Sequence, residues 1–360
     1  MTAHPYRDLP DYAFWSRSVA SPVKSDVDPV VKGMFQITES DRVATAGSCF
    51  AQHIARHLKA NGFNFLVTEM AHPITPHDLV AKFNYGVFSA RYGNLYTSRQ
   101  LLQLFRRAYG EFQPAEDIWQ DAGGHYVDPF RPQIQPGGFL TREEHAADRA
   151  QHFRCVRKMF EELDVFVFTL GLTEAWMSAQ DGAIYPLCPG VAGGTFDSTR
   201  HRFVNLGVEE VARDMQEFID RLRGINPKAK VILTVSPVPL VATAEDRHVL
   251  VSTTYSKSVL RVAAEQVARS RQDVVYFPSY EIITGNHARG SYFADDLRSV
   301  TEEGVGHVMR LFLKHYTGRE AVASGNLEVA ARVEPVDDHT AKMTELAEVN
   351  CDEIALEKFA

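Results

Sequence analysis

Along the chain, short continuous apolar runs alternate with longer stretches in which apolar residues recur at helical spacing. Arg42 to Ala46, Asn64 to Val67, Asp164 to Leu170, Lys230 to Val235 and Val274 to Phe277 read as strands. An unbroken apolar run such as Val-Phe-Val-Phe-Thr-Leu170 is what a parallel strand covered on both faces requires. Helices are predicted between them. Ala51 to Asn61 places Ile54, Leu58 and the Phe50 side on one face and stops at Gly62. Ser98 to Ala108 is a second helix. A third opens with the capping-box spacing Thr141-Arg-Glu-Glu144 and runs to about Leu163, with Phe153, Val156 and Phe160 inward. Val208 to Gly224, Tyr255 to about Arg271, and Thr301 to His315 with Thr301 as its cap complete the series. Strands alternating with helices predict a three-layer α/β/α sandwich with a mainly parallel, doubly wound sheet, in which ligands bind at the carboxyl ends of the strands. That rule brings Gly47 to Cys49, Gly171 to Glu174, Ser236 to Pro239 and Asp295 to Ser299 to one edge.

The pattern also suggests three regions: an N-terminal arm over 1–40, an α/β domain over 41–316 and an acidic tail over 317–360. The arm, rich in Pro, Asp and aromatics, is expected to lay Tyr12, Phe14 and Trp15 on the main domain. A long stretch from His72 to Asn94, with scattered Gly, Asn and aromatics, reads as a connecting loop or a substrate-recognition segment. Asp128-Pro-Phe-Arg-Pro132 and Pro136-Gly-Gly138 are turn chemistry, and Tyr185 to Thr195 reads as an insertion or small hairpin.

Composition narrows the function. With 360 residues, 45% of them hydrophobic, the chain can bury a substantial core. A net charge of -8 with dispersed Lys and Arg argues against nucleic acid or an anionic membrane as partner. No stretch approaches the roughly 18 apolar residues that span a bilayer, and no signal-type apolar segment opens the chain. Cys49, Cys155, Cys188 and Cys351 lie far apart without a CxxC pair, which suggests a reducing, cytoplasmic compartment and neither disulfide framework nor zinc site. No cofactor and no metal are expected, since His and carboxylates show no ligand spacing.

The candidate chemistry centres on Thr45-Ala-Gly-Ser-Cys-Phe-Ala51. A glycine and two nucleophile-capable side chains stand where a strand hands over to a helix, so Ser48 and Cys49 would lie at the positive end of the helix dipole. A thiol there is stabilised as thiolate, and the same amides can donate to an oxyanion. The plainer possibility is a tight turn with a small buried Cys.

Gly47-Ser48-Cys49-Phe50-Ala51 resembles the signature of the GSCFA domain family, a branch of the SGNH (GDSL-like) hydrolase group. Asp128-Pro-Phe-Arg-Pro132, Ser236-Pro-Val-Pro and Ser256-Lys257-Ser258 also resemble blocks of that family. The likeness to the SGNH order covers about Arg42 to Leu313 and implies a Gly-Asp-Ser turn, a glycine in the next loop, Gly-x-Asn and Asp-x-x-His. Laid on that order, Cys49 takes the nucleophile position, and a one-residue slip gives it to Ser48. Cys49 is preferred because a thiolate needs less help from a base. Gly86 in the Asn84 to Gly93 stretch and Gly171 would serve the oxyanion. Thr173 replaces the Asn and offers one donor instead of two. Glu174 would bind substrate or make a local hydrogen bond. Asp296 would orient a base, but Ser299 stands where the His should be, and serine is no base near neutral pH. His248 is the preferred replacement, with His287 and His307 as alternatives, whereas His53 and His57 read as packing or surface residues. The resemblance implies an acyl-ester hydrolase or O-acyltransferase acting on a small molecule or glycan such as a surface polysaccharide precursor, with acyl-CoA as donor if it transfers. The alternative is a non-catalytic glycan- or acyl-ligand-binding protein on a degenerate SGNH fold.

Overall fold

A computed structural model of the chain describes residues 4–31, 33 and 35–318. The acidic tail expected over 317–360 lies outside the described residues from 319 on, as does Cys351. The described residues form two units, one of Glu39–Tyr276 and the other of those up to Thr38 with those from Phe277 to Gly318.

The larger unit holds, in chain order, β1 (Val43–Gly47), α1 (Phe50–Ala60), α2 (His77–Lys82), α3 (Ser98–Ala108), β2 (Trp119–Gln120), β3 (Tyr126–Val127), α4 (Arg142–Glu162), β4 (Val165–Leu170), β5 (Glu174–Ser178), β6 (Ile184–Tyr185), β7 (His201–Asn205), α5 (Val208–Ile225), β8 (Lys230–Val235), α6 (Val249–Ser270) and β9 (Val274–Tyr276). The central sheet is parallel throughout in the order β1-β4-β8-β9, with Val43 opposite Val165, Phe166 opposite Val231 and Val231 opposite Val274. Every residue of β1 and β4 is buried, as unbroken apolar runs require when both faces are covered. Helices flank the sheet, an α/β arrangement consistent with a three-layer sandwich.

The strand expected over Asn64 to Val67 shrinks to one parallel bridge, Phe65 to Val43. Val43 N–H donates to Asn64 O, Leu66 N–H donates to Val43 O, and then Thr68 N–H turns away to Ser89 O. Counting that bridge, the chain pairs first on one side of β1 and then, through β4, on the other. The order reverses between β1 and β4, which makes their carboxyl ends the topological switch point where α/β sheets bind ligands.

Local chemistry sets the helix ends. Thr97 and Gln100 form a capping box at α3, Thr141 Oγ1 accepts from Glu144 N–H at α4, and Glu210 accepts from Gly207 N–H before α5. Gly62, with φ +76, terminates α1. α6 starts six residues before the expected Tyr255, because His248 caps it. A small antiparallel sheet, β6-β5-β7, follows β4, and the Tyr185 to Thr195 excursion begins at the end of β6. Burial alternates along Glu174-Ala-Trp-Met in β5, but its apolar Ala, Trp and Met fall on both faces, so the sequence carries no period-2 pattern there.

The Asp128-Pro-Phe-Arg-Pro132 block builds a buried ion network. Arg131 Nε donates to Asp128 Oδ2 at 2.9 Å and its Nη2 to Asp148 Oδ2 at 2.7 Å. Asp148 Oδ1 accepts from Arg91 Nη1 at 3.0 Å, and Arg91 N–H donates to Glu69 Oε2 at 2.7 Å. His152 Nδ1 lies 2.7 Å from the same Glu69 oxygen. Burial drives the pKa of His152 down, so the ring is neutral and donates its Nδ1–H to the carboxylate. The network fixes Glu69, Arg91 and the 128–131 turn against α4, and so anchors both ends of the loop that enters the switch point.

The smaller unit contains α7 (Ser279–Thr284) and α8 (Glu302–Thr317) together with the N-terminal arm. Polar contacts to α8 tie the arm down: Lys24 to Glu303, Asp28 to Lys314 and His315, and Ile37 N–H to Tyr316 O. The aromatics expected to pack are not buried, since Tyr12 is 56% and Trp15 65% exposed. His307 Nε2 instead secures the arm by donating to Val27 O at 3.0 Å, which leaves Nδ1 to accept from Tyr292 OH at 2.9 Å. Burial, then the nearby Arg310, pushes the His307 pKa down to about 4. A histidine held neutral in the fold and protonated when unfolded costs no stability above pH ~6.5 and progressively more as pH falls towards 4, on the order of 3 kcal/mol in all. His307→Asn is therefore expected to flatten the loss of urea midpoint between pH 6.5 and 4; an unchanged slope would show that His307 does not carry it.

Candidate functional site

The site grows out of the closeness of β1 to β4. Gly47 has φ +137, and a Cβ there would lie 2.3 Å from Thr169 O, so only glycine allows the two strands to pair to their last residues. Ser48 N–H then donates to Thr169 O at 3.2 Å. Opposite, a Cβ on Gly171 would lie 2.9 Å from Ser48 Cβ. The two glycines thus leave Ser48 a slot between the strand ends.

Ser48 is 3% exposed, and its Oγ is buried without a hydrogen-bond partner among the described residues. A buried hydroxyl with nothing to bond costs about 1–3 kcal/mol, which folds rarely tolerate without a function for it. Cys49, 6% exposed, is the N-cap of α1 with helical backbone angles and no side-chain capping bond. The helix opens with Ala51 N–H on Ser48 O and Gln52 N–H on Cys49 O. Ser48 and Cys49 therefore sit as expected at the amino end of an 11-residue helix.

The segment around Asn94 to Tyr96 forms a further wall. Leu95 N–H donates to Gly47 O at 2.8 Å, and Gln52 Nε2, one turn into α1, donates to Asn94 Oδ1 at 3.2 Å. Tyr96 O accepts from both Gly171 N–H and Leu172 N–H at 2.9 Å. That commits the Gly171 amide, so the oxyanion contribution expected of Gly171 has no donor there. Gly93, next to Asn94 with φ +71, is the glycine beside the turn. Gly86 is not: its carbonyl accepts from Lys59 Nζ, near the far end of α1, about 15 Å along the helix from Cys49.

Thr173 is fully buried and engaged. Its N–H donates to Ser256 Oγ at 3.1 Å, and its hydroxyl donates to Asn205 Oδ1 at 2.6 Å. Asn205 Nδ2 in turn reaches Glu245 Oε1 at 3.0 Å. Thr173 thus braces the strand end and presents no donor towards Ser48. Glu174 takes the local role: Thr243 Oγ1 donates to it at 2.8 Å, and burial pushes its pKa up.

His248, expected as a base, is exposed, and its Nδ1 accepts from Leu250 N–H at 3.1 Å as the cap of α6. Its neighbour Val249 packs against Tyr96, Leu172 and Leu240, so it stands at the rim of this edge with one ring nitrogen already used. Asp296 belongs to the smaller unit and closes on itself: Oδ2 accepts from Ser299 Oγ at 2.6 Å and Oδ1 from the Arg298 and Ser299 N–H groups. The Ser299 hydroxyl, then those amides, hold its pKa below the usual carboxylate range. Ser299 at the expected His position is thus the partner of Asp296 in a turn. His53, one turn after Cys49, is buried against Phe50, and burial drives its pKa down to about 3.

A further residue of this edge, with no role legible in the sequence, is Lys257. It is 1% exposed on α6, and its Nζ donates to Gly171 O at 2.7 Å. Gly171 therefore meets Ser48 at its α-carbon and the Lys257 amine at its carbonyl oxygen. The available signal was a lysine in phase with Leu260 and Ala264, on the face of α6 that goes inward.

A GSCFA family model matches residues 42–312. No curated protein matches the chain. Among the described residues, no helix is long and apolar enough to cross a membrane.

Proposed function

The chain belongs to the GSCFA family, and from that premise we propose that it is an SGNH-like acyl-ester hydrolase or O-acyltransferase, working in the cytoplasm on a small-molecule or glycan ester, with Ser48 as its nucleophile. The observation that carries the reading is the Ser48 hydroxyl, buried and unpartnered in a slot made by two glycines at the switch point. Cys49, which the family register favours, is one residue further, at the N-cap of α1.

In this reading Ser48 Oγ attacks the acyl carbon while its proton passes to the amine of Lys257, the pairing that Ser–Lys enzymes use in place of histidine. The carbonyl oxygen takes up the electron pair and is held by amides at the start of α1 and by the Gly93 segment. The intermediate collapses, the C–O bond to the leaving alcohol breaks, and that alcohol recovers the proton from Lys257. The acyl-serine is then opened by water, giving hydrolysis, or by an acceptor hydroxyl, giving transfer. His248 and Asp296 take no step in it.

Short-chain aryl esters assay this directly. Ser48→Ala is expected to remove at least ~10³-fold of the ester-cleaving rate while Cys49→Ala keeps most of it. The reverse pattern would make Cys49 the nucleophile. No loss in either variant would leave a ligand-binding protein.

A further inference from the structure

Away from the switch point, the larger unit has an open cleft of about 680 Å³ between the 99, 102, 103, 106 face of α3, the 210, 213, 214, 217 face of α5 and one face of β7. Four arginines and four carboxylates line it, but their commitments differ. Each carboxylate is already used. Asp214 accepts from Arg99 Nε at 2.7 Å and from Ser98 Oγ. Glu217 pairs with Arg221, Glu210 accepts from Gly207 N–H, and Asp181 accepts from the Ala115 and Ala183 N–H groups.

Arg106, Arg202 and Arg213 have no carboxylate partner among the described residues. Arg202 reaches only Met177 Sδ, at 4.0 Å. Arg106 Nε is buried with no hydrogen-bond partner, and the Arg106 guanidinium lies 5.7 Å from the Phe112 ring centre. Arg202 and Arg213 stand exposed and the Arg106 Nε is buried without a partner, so the cleft of a chain whose net charge is -8 presents three guanidinium groups that no carboxylate of the described residues neutralises. Arginine forks match phosphate oxygens two at a time, so three of them suit a ligand with more than one anionic phosphate. The cleft lies in the range of organic ligand sites, ~300–1,000 Å³, well above what an inorganic ion needs.

We propose that this cleft binds the diphosphate of an organic ligand, held by Arg106, Arg202 and Arg213. A nucleotide-linked sugar and an acyl-CoA both carry that group, and the probes below separate them. The cleft also touches Asn205, the residue that braces Thr173 at the end of β4. Diphosphate recognition rests on the arginines alone and holds whether or not Ser48 is a nucleophile.

The test is calorimetric titration of the full chain with inorganic pyrophosphate, ADP, UDP-glucose, coenzyme A and citrate. Saturable binding of at least one organic diphosphate is expected, tighter than pyrophosphate and weakened at least tenfold by Arg202→Gln or Arg213→Gln. Both side chains are exposed, so these variants should keep the parent's melting temperature. Coenzyme A tighter than ADP would identify its 3′-phosphate and pantetheine portion as part of the ligand, and UDP-glucose tighter than ADP the uridine and sugar portion. Citrate tighter than every diphosphate, or binding unchanged in both variants, overturns the proposal, as does no saturable binding of any probe. Because no reaction is read, failure here leaves the ester-cleavage result standing, and the converse also holds.

Discussion

Replacing Lys257 with methionine is expected to lower the ester-cleaving rate by about 10²–10⁴-fold, the range that a positioned general base supplies. Methionine keeps the length and apolar stem of a side chain that is 1% exposed, and removes only the amine. One structural cost follows, because Gly171 O loses the donor it has at 2.7 Å. An orphaned carbonyl costs ~1–3 kcal/mol, which lowers the melting temperature without abolishing a rate. The two effects separate by rescue. If Lys257 takes the proton from Ser48, small primary amines added to Lys257→Met should restore part of the rate, increasingly with amine concentration. A variant that fails only because the 171 turn has shifted should not respond. Full activity in Lys257→Met would return the search for a base to the histidines, of which His248 is the one at the rim of this edge.

Asp128→Asn is expected to destabilise the larger unit by about 3–5 kcal/mol, a large share of the ~5–15 kcal/mol that keeps a domain folded. Burial alone would raise the Asp128 pKa, but Arg131 and Arg107 outweigh it and hold the carboxyl well below the usual range. Asparagine preserves the shape and can still accept from Phe130 N–H, which Asp128 Oδ1 does at 2.9 Å. What it removes is the charge facing Arg131, which is buried and has only Asp148 left as a close counter-ion. A buried guanidinium that has lost one of its two close counter-ions is the costly product. Changing both partners, Asp128→Leu with Arg131→Met, should cost less than Asp128→Asn alone, a sign that a structural role without charge pairing would not give. Urea midpoints read all three; a loss below ~1 kcal/mol in Asp128→Asn would mean that water or a rearranged Asp148 compensates the arginine.

The parallel strands were legible because a strand covered on both faces must be apolar at every position, and Val165 to Leu170 and Lys230 to Val235 are nearly so. Helix ends were legible where a side chain supplies the capping bond, as Thr141 and Thr301 do. The Phe65 strand was overread because an apolar tetrapeptide does not say how many of its residues find a partner. The Ser48–Cys49 turn was visible in the sequence because Gly47 has to be glycine and the next strand end, at Gly171, has to clear it. The surroundings of that turn were not. Which glycine of the Asn84 to Gly93 stretch reaches it depends on where Leu95 N–H bonds, and no local pattern encodes that. His248 was chosen for its loop, but α6 extends back to use it as a cap. Lys257 lies in the family-like block Ser256-Lys257-Ser258, yet only its position on the inward face of α6 distinguishes it from a surface lysine. The arginine cleft was illegible for a related reason: Arg106, Arg202 and Arg213 lie on three elements, and what sets them apart is which neighbouring carboxylates are already taken.

The most direct test of the central claim is mass-spectrometric identification of the residue modified when the folded protein meets a serine-directed fluorophosphonate and, separately, iodoacetamide. Phosphonylation of Ser48 much faster than in unfolded protein, with the reaction lost in Lys257→Met and Cys49 no faster than an ordinary thiol, is the predicted result. Reaction of neither Ser48 nor Cys49 faster than in the unfolded chain would contradict the account and leave the pocket a binding site without an acyl-enzyme.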